Sequence, residues 1–354
     1  MVSLANGFSA RGYHVDILLA KAEGVFLNFL SPNVRVFDLR AGRVVRTILP
    51  LVFYLRRERP SAFLAAMTHS CVIALIAKFL SFTKPRLVVS ERGTVTQEFR
   101  RAKGLLARIV YNIVPFLYQR ADAVHTVSLA SANDLSSFAR LPLHRIKTIY
   151  NPFDVVSIRQ RKDENISHPW FATGGAPVIV AIGRLNQAKD FSTLIRAFSL
   201  VKQKISARLL ILGEGELRDA LEQLILSCGL TCDDVQLHGF VANPYAYLAR
   251  ANLFVLSSQW EGLPGALIEA MACGTPVVST NCPSGPDEIL EGGRWGRLVP
   301  VGDIYALATA ILDVLSTPRD RLPDVTLRAQ DFDQEKALDA YLEILGLPPS
   351  PSVS

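Results

Sequence analysis

Long apolar runs are missing from this chain of 354 residues, and none reaches the ~18 residues that a bilayer-spanning helix needs. No charged, apolar and small-residue leader opens it either. Met1 to Gly7 runs straight into a helix-like pattern, so the expected location is cytoplasmic. Cysteine is scarce: Cys71, Cys228, Cys232, Cys273 and Cys282 cannot all pair, and no pair of pairs has metal-ligand spacing. They read as small buried side chains in a reducing compartment. His14, His125, His144, His168 and His238 show no metal-binding spacing, so no metal site is expected. One Gly-x-Gly, at Gly213 and Gly215, lacks the remaining spacing and the acid ~20 residues on that would hold a dinucleotide ribose. Packing of a tight turn is the better reading. Acidic residues are few in the first half: residues 1–150 hold 8 Asp and Glu against 21 Lys and Arg, leaving 24 against 17 for the rest. The basic half should face something anionic, a membrane surface or a lipid phosphate, and no nucleic-acid partner is expected.

What is present is an α/β pattern long enough for two ordinary domains. Strands are expected at residues 13–20, 34–39, 62–67, 86–90 and 123–127, with helices between them. Two segments, 43–59 and 100–120, are apolar in the middle and basic at the ends. Either could lie on an anionic bilayer or simply pack on the sheet. In the second half, strands are expected at 177–183, 209–213, 235–240, 253–256 and 276–279. Ligands in open parallel sheets collect at the C-terminal ends of such strands.

The loop after residues 253–256 is the richest in chemistry. It reads Ser257-Ser258-Gln259-Trp260-Glu261-Gly262-Leu263-Pro264-Gly265-Ala266-Leu267-Ile268-Glu269 and continues Ala270-Met271-Ala272-Cys273-Gly274-Thr275-Pro276. A helix is expected to begin near Pro264. Gly262 and Gly265 carry no side-chain bulk, so backbone N–H groups at its start can approach an anion. Glu261 in the loop and Glu269 on the helix suit a ligand with hydroxyls at both ends and phosphate between, the outline of a sugar nucleotide. The loop from Gly183 to Phe191 adds two cations, Arg184 and Lys189, as a diphosphate requires.

The string from Glu261 to Pro276 resembles family 4 retaining glycosyltransferases of the GT-B fold, as do Arg11-Gly12-Tyr13-His14-Val15, Asn151-Pro152 and the loop at Arg184 and Lys189. The resemblance implies two Rossmann-like doubly wound domains facing a cleft. The first would span 1–151 on the acceptor side and the second 152–332 on the nucleotide-sugar side. A helix over 333–345 would cross back to the first, and 346–354 would form a disordered tail. Family members carry roughly 20 more residues before the first helix, beginning with a strand in the middle of the sheet. The first domain is therefore expected to lack its first strand.

The resemblance also implies the roles. Gly183, Arg184 and Lys189 would hold the diphosphate, and Gly239 and Phe240 the base through main-chain atoms. Glu261 would hold the sugar hydroxyls and Glu269 the ribose, with Gly262, Leu263, Pro264, Gly265 and Leu267 completing the donor-binding set. His69 would touch the donor sugar, making His69, Arg184, Lys189 and Glu261 the catalytic set. A Gln common in the family before the Lys is here Ala188. Ser90-Glu91-Arg92 offers Glu91 or Arg92 to an acceptor, or forms an ordinary ion pair. The implied reaction moves a hexose or N-acetylhexosamine from a nucleotide diphosphate sugar, expected to be UDP-linked, to a lipid-linked or surface-polysaccharide acceptor. No cofactor or metal would be required, and the inner face of the cell membrane is the expected place of work. A GT-B sugar-nucleotide epimerase and a non-catalytic donor-binding partner remain alternatives.

Overall fold

The computed structural model describes residues 1–42, 44–172 and 174–349. The chain divides into two compact units, Met1–Pro152 with Gln334–Ser354, and Phe153–Asp333.

The first unit runs α1 (Val2–Ala10), β1 (Asp16–Leu19), β2 (Arg35–Asp38), α2 (Ile48–Glu58), β3 (Ala62–Ala66) and α3 (Thr68–Ser81). It continues with β4 (Arg86–Glu91), α4 (Val95–Arg101), α5 (Leu105–Leu117), β5 (Ala123–Thr126), α6 (Leu129–Ala139) and β6 (Ile146–Thr148). Its strands form two parallel sheets, a pair β1-β2 and a four-stranded β3-β4-β5-β6. Central β4 is buried along nearly its whole length, with Leu87, Val88 and Val89 inaccessible, as expected of a parallel strand covered on both faces.

The second unit runs α7 (Val155–Arg161), β7 (Val178–Ile182), α8 (Phe191–Lys202), β8 (Arg208–Leu212), α9 (Arg218–Ser227), β9 (Val235–Gly239) and α10 (Tyr245–Arg250). Then follow β10 (Leu253–Leu256), α11 (Gly265–Ala272), β11 (Val277–Thr280), α12 (Pro286–Leu290), β12 (Arg297–Val299), α13 (Ile304–Ser316) and α14 (Val325–Ala329). Its six parallel strands lie in the order β12-β11-β10-β7-β8-β9. Counted from β7, this is the doubly wound order 3-2-1-4-5-6, and its switch point lies between β7 and β10. The loops after those two strands are therefore the ones that sequence reading singled out. The core beneath them is aliphatic, with Ile179, Leu194, Phe198, Leu209 and Val255 all inaccessible.

After α14 the chain returns to the first unit as α15 (Gln334–Leu345). Leu338, Tyr341, Leu342 and Leu345 of α15 join Leu4 and Phe8 of α1 and Val88 of β4 in one cluster.

Several expectations need correction. Helix α3 begins at Thr68, one residue before His69, because Met67 at φ 74° makes the turn out of β3. The basic stretch 100–120 is not one segment: Gly104, at φ 94°, separates α4 from α5. Of the stretch 43–59, Arg43 lies outside the described residues, and α2 starts at Ile48 with Pro50 in its first turn, where a missing N–H costs nothing. Disorder does not begin at Gly346. The Gly346 and Leu347 amides donate to Glu343 and Leu342, and the Tyr13 hydroxyl donates to the Pro348 carbonyl. Residues 350–354 lie outside the described residues. Among the described residues no helix is long and apolar enough to cross a membrane.

Candidate active site

At the switch point of the second unit, Lys189 and Glu261 meet. Lys189 Nζ donates to Glu261 Oε1 at 2.6 Å, with side chains 20% and 13% accessible, so the pair is shielded without being sealed. Both loops are pinned to hold it. The Gln259 amide donates to the Ala188 carbonyl at 2.8 Å, and Ser257 Oγ donates to the Lys189 carbonyl at 2.8 Å. Ser258 Oγ donates to Glu261 Oε1 at 2.6 Å, and Thr280 Oγ1 fixes the Ser258 carbonyl at 2.6 Å. Asn186 Oδ1 accepts from the Lys189 amide, and Asp190, at φ 45°, caps α8 through the Thr193 amide. Gly183 makes room for the lysine stem: a Cβ there would stand 2.8 Å from Lys189 Cε.

Glu269 lies in the second turn of α11. It keeps a partly accessible surface, but burial pushes its carboxyl up to about 7, against the pull of the Lys189 charge and a Tyr245 hydrogen bond. Around neutral pH it is therefore a mixture of acid and carboxylate. The Glu261-Gly262-Leu263-Pro264 loop is held from the α12 side, where Ser284 Oγ donates to the Gly262 carbonyl at 2.7 Å. Gly285 is required there, because at φ 100° a Cβ would also sit 2.4 Å from Pro264 Cδ. Gly265, at the start of α11, faces the Phe153 ring.

The remaining candidates divide. Arg184 is 70% accessible and pairs with Glu216 of the Gly213–Gly215 turn at 3.2 Å, so its charge is engaged away from the Lys189–Glu261 pair. Those two glycines serve packing, since a Cβ at Gly213 would stand 2.0 Å from the Gly183 carbonyl and one at Gly215 2.4 Å from the Leu185 carbonyl. Gly239, at φ 93°, ends β9, and the ring of Phe240 beyond it is 70% accessible. The Leu267 side chain is inaccessible in the core, which leaves only its main chain to meet a ligand at the start of α11, and Leu263 is almost as deep.

In the first unit, half-buried His69 stands edge-on to Tyr111, ring centroids 5.4 Å apart at 88°. The Tyr111 hydroxyl donates to Glu98 Oε2 at 3.2 Å. Glu91 is a correction. It is 1% accessible, its Oε1 accepts from the Tyr118 hydroxyl and its Oε2 from Thr68 Oγ1 at 3.1 Å, so the side chain is sealed inside the unit and out of an acceptor's reach. Burial pushes its carboxyl up to about 8, with the Tyr118 and Thr68 hydrogen bonds opposing and Glu98 reinforcing.

A carboxyl whose folded value lies above its unfolded 4.5 contributes stability that is complete below that value and lost as pH rises through 8. Glu91→Gln should therefore gain on the wild type between pH 5 and pH 9, read as urea midpoints. A difference that stays constant across that range contradicts the assignment. Arg92, by contrast, donates to the Tyr341 hydroxyl at 3.0 Å and serves to hold α15.

Sequence reading missed Ser258, Asn186, Glu216, Tyr111 and Glu98. Ser258 and Asn186 each had one local signal, a hydrogen-bonding side chain three residues before Glu261 and Lys189; Glu216, Tyr111 and Glu98 act across the chain and left none.

Compared with known proteins, residues 176–317 match glycosyl transferases group 1, and residues 1–156 match glycosyltransferase family 4. The N-acetylgalactosamine-N,N'-diacetylbacillosaminyl-diphospho-undecaprenol 4-alpha-N-acetylgalactosaminyltransferase of Campylobacter jejuni is 31% identical over 278 residues, 77% of this chain and 73% of that protein. A glycosyltransferase of Methanocaldococcus jannaschii is 34% identical over 221 residues, 62% of this chain and 54% of its own length. Among solved structures, Anabaena HepE in complex with UDP and glucose superimposes with a TM-score of 0.79 at 21% identity, covering 98% of this chain and 94% of that one.

Proposed function

The chain belongs to the family 4, group 1 glycosyltransferases of the GT-B fold, and on that premise we propose that it is a retaining enzyme moving a hexose or N-acetylhexosamine from a UDP-sugar to a lipid-linked or polysaccharide acceptor. The observation that carries the reading is the Lys189–Glu261 pair at the switch point of the second unit. A diphosphate arriving there competes with Glu261 for the ammonium group. Once released, Glu261 accepts hydrogen bonds from sugar hydroxyls. Arg184 leaves its exposed partner Glu216 to add a second positive charge, an exchange that costs little because exposed ion pairs are worth at most about 1 kcal/mol.

Negative charge grows on the leaving diphosphate as the glycosidic bond breaks, so fixed cations favour the transition state over the ground state. In this reading the two side chains supply that charge and no metal is required. Glu269 accepts from the ribose hydroxyls as carboxylate, the main chain at Gly239 and Phe240 meets the base, and His69 contacts the sugar. Retention of configuration rests on the family alone.

A UDP donor is supported by the UDP complex of HepE, and a lipid-linked acceptor by the diphospho-undecaprenol in the name of the Campylobacter relative. A membrane surface as workplace is supported by exposed Leu105, Leu106 and Phe116 on α5 and Leu49 and Phe53 on α2, in the half of the chain rich in Lys and Arg.

The test offers radiolabelled UDP-sugars together with polyprenyl-diphosphate glycans in anionic or neutral vesicles. Transfer with retained anomeric configuration, faster on anionic vesicles, is expected. Free sugar isomer formed without acceptor would make the protein an epimerase, and UDP binding without transfer to any acceptor a non-catalytic partner.

A further inference from the structure

The sheet of the second unit carries a ligand-sized hollow beyond the Lys189–Glu261 pair. Gln259 of the loop after β10, Asn281 and Pro283 of the loop after β11, and Pro300 and Val301 after β12 line one open cavity of about 760 Å³. It lies at the C-terminal ends of three neighbouring parallel strands, where such sheets collect ligands. Its size is that of a small-molecule site.

The backbone of this cavity is fixed while its polar side chains are open. The Gln259 main-chain amide donates to the Ala188 carbonyl at 2.8 Å, and that of Asn281 to the Val299 carbonyl at 2.7 Å. Neither carboxamide has a hydrogen-bond partner among the described residues, although Gln259 is half-buried. Each offers one C=O acceptor and two N–H donors, a set that matches neighbouring hydroxyls on a sugar ring. Pro283, Pro300 and Val301 are exposed and supply apolar surface for the C–H face of such a ring. No residue lining the cavity carries a charge, so a phosphate or carboxylate entering it would shed water without gaining a counter-ion.

We infer that this cavity is an acceptor subsite, holding a neutral sugar ring of the glycan being extended, with Gln259 and Asn281 gripping its hydroxyls. The inference rests on the proposed function, in which the donor lies along the sheet edge with its base at the end of β9, its diphosphate after β7 and its sugar at Glu261 after β10. The strand order continues from β10 to β11 and β12, one and two spacings of about 4.8 Å further on. That line leads past the transferred sugar into the cavity. The same two loops build both places: Thr280 Oγ1 donates to the Ser258 carbonyl at 2.6 Å, and Ser284 Oγ to the Gly262 carbonyl at 2.7 Å. The diphosphate end of a lipid-linked acceptor lies outside this uncharged site.

The test adds the methyl glycosides of glucose, galactose, mannose, N-acetylglucosamine and N-acetylgalactosamine to the full chain with UDP present, and reads binding by saturation-transfer NMR. At least one should bind at millimolar concentration, at least tenfold better than methyl glucuronide. Asn281→Ala and Gln259→Ala should each weaken binding about tenfold, the usual effect of losing one or two hydrogen bonds. Val301→Trp, which fills the cavity, should abolish it; Asn281 and Val301 are exposed, so both variants should keep the wild-type melting temperature. In transfer assays Asn281→Ala should raise the KM for acceptor about tenfold and leave the KM for UDP-sugar unchanged. The inference is overturned if no neutral glycoside binds, if the glucuronide binds as well, or if Asn281→Ala and Val301→Trp bind and transfer like the wild type. Glycoside binding that Asn281→Ala weakens, in a protein that transfers sugar to no acceptor, would leave the sugar site standing and count against the proposed function alone.

Discussion

Replacing Lys189 by alanine is expected to lower sugar transfer by about 10²–10³-fold, most of it in kcat, because the lost contact is strongest when charge develops on the leaving diphosphate. The geometry makes the prediction specific. Lys189 Nζ is held 2.6 Å from Glu261 by loops that are themselves hydrogen-bonded to one another, so in the free protein the ammonium is positioned before any donor arrives. Its removal also leaves Glu261, among the described residues, with Ser258 as its hydrogen-bond partner, a largely buried carboxylate without its cation. That carboxylate would repel a diphosphate, so part of the loss should reverse when Glu261 is neutralised as well. The variant Lys189→Ala with Glu261→Gln should therefore bind UDP more tightly than Lys189→Ala alone, and a double-mutant cycle should show coupling between the two positions. Independent effects would mean that the pair is structural only.

The second large effect is on stability. Tyr341→Ala in α15 should cost roughly 3–5 kcal/mol, the usual cost of removing a fully buried aromatic ring. The ring is inaccessible and stands edge-on to His125, centroids 4.9 Å apart. Its hydroxyl bonds His125 Nε2 at 2.7 Å, and Ser90 Oγ is 2.8 Å from the same nitrogen. His125 Nδ1 faces the Thr126 carbonyl at 2.9 Å, and a carbonyl can only accept, so Nδ1 carries the proton and Nε2 accepts. Burial, with Arg92 nearby, pushes the imidazole down to about 3 and keeps it neutral. Tyr341→Phe keeps the ring and loses only the hydroxyl contacts, so a cost of about 1–2 kcal/mol is expected. Amide exchange in β4 and β5 reads both: it should accelerate strongly in the Ala variant and modestly in the Phe variant. Equal behaviour of the two would mean that the ring's packing contributes little.

Much of this was legible in the chain, for identifiable reasons. The doubly wound sheet announced itself through short aliphatic runs such as Val178 to Ile182 and Leu209 to Leu212, both followed directly by glycine. The residue pair at the switch point was readable because both members stand in loops directly after strands, where topology fixes their place. Arg184 was harder. Its position in the loop was right, but its partner Glu216 comes from a different turn, and nothing local announces an ion pair 32 residues apart. Glu91 misled because a carboxylate beside an arginine at a strand end looks exposed. The deciding partners, Tyr118 and Thr68, come from sequence 27 and 23 residues away. For Leu267, helical phase turns the side chain inward with that of Ile268, which the order of residues alone did not announce.

The account depends on one exchange, in which the donor's diphosphate takes the place of Glu261 at Lys189. A crystal of the protein soaked with UDP reads it directly. The account predicts a phosphate oxygen within hydrogen-bond reach of Lys189 Nζ, the Lys189–Glu261 contact opened, and the ribose against Glu269. UDP bound elsewhere with the 2.6 Å contact intact would contradict it.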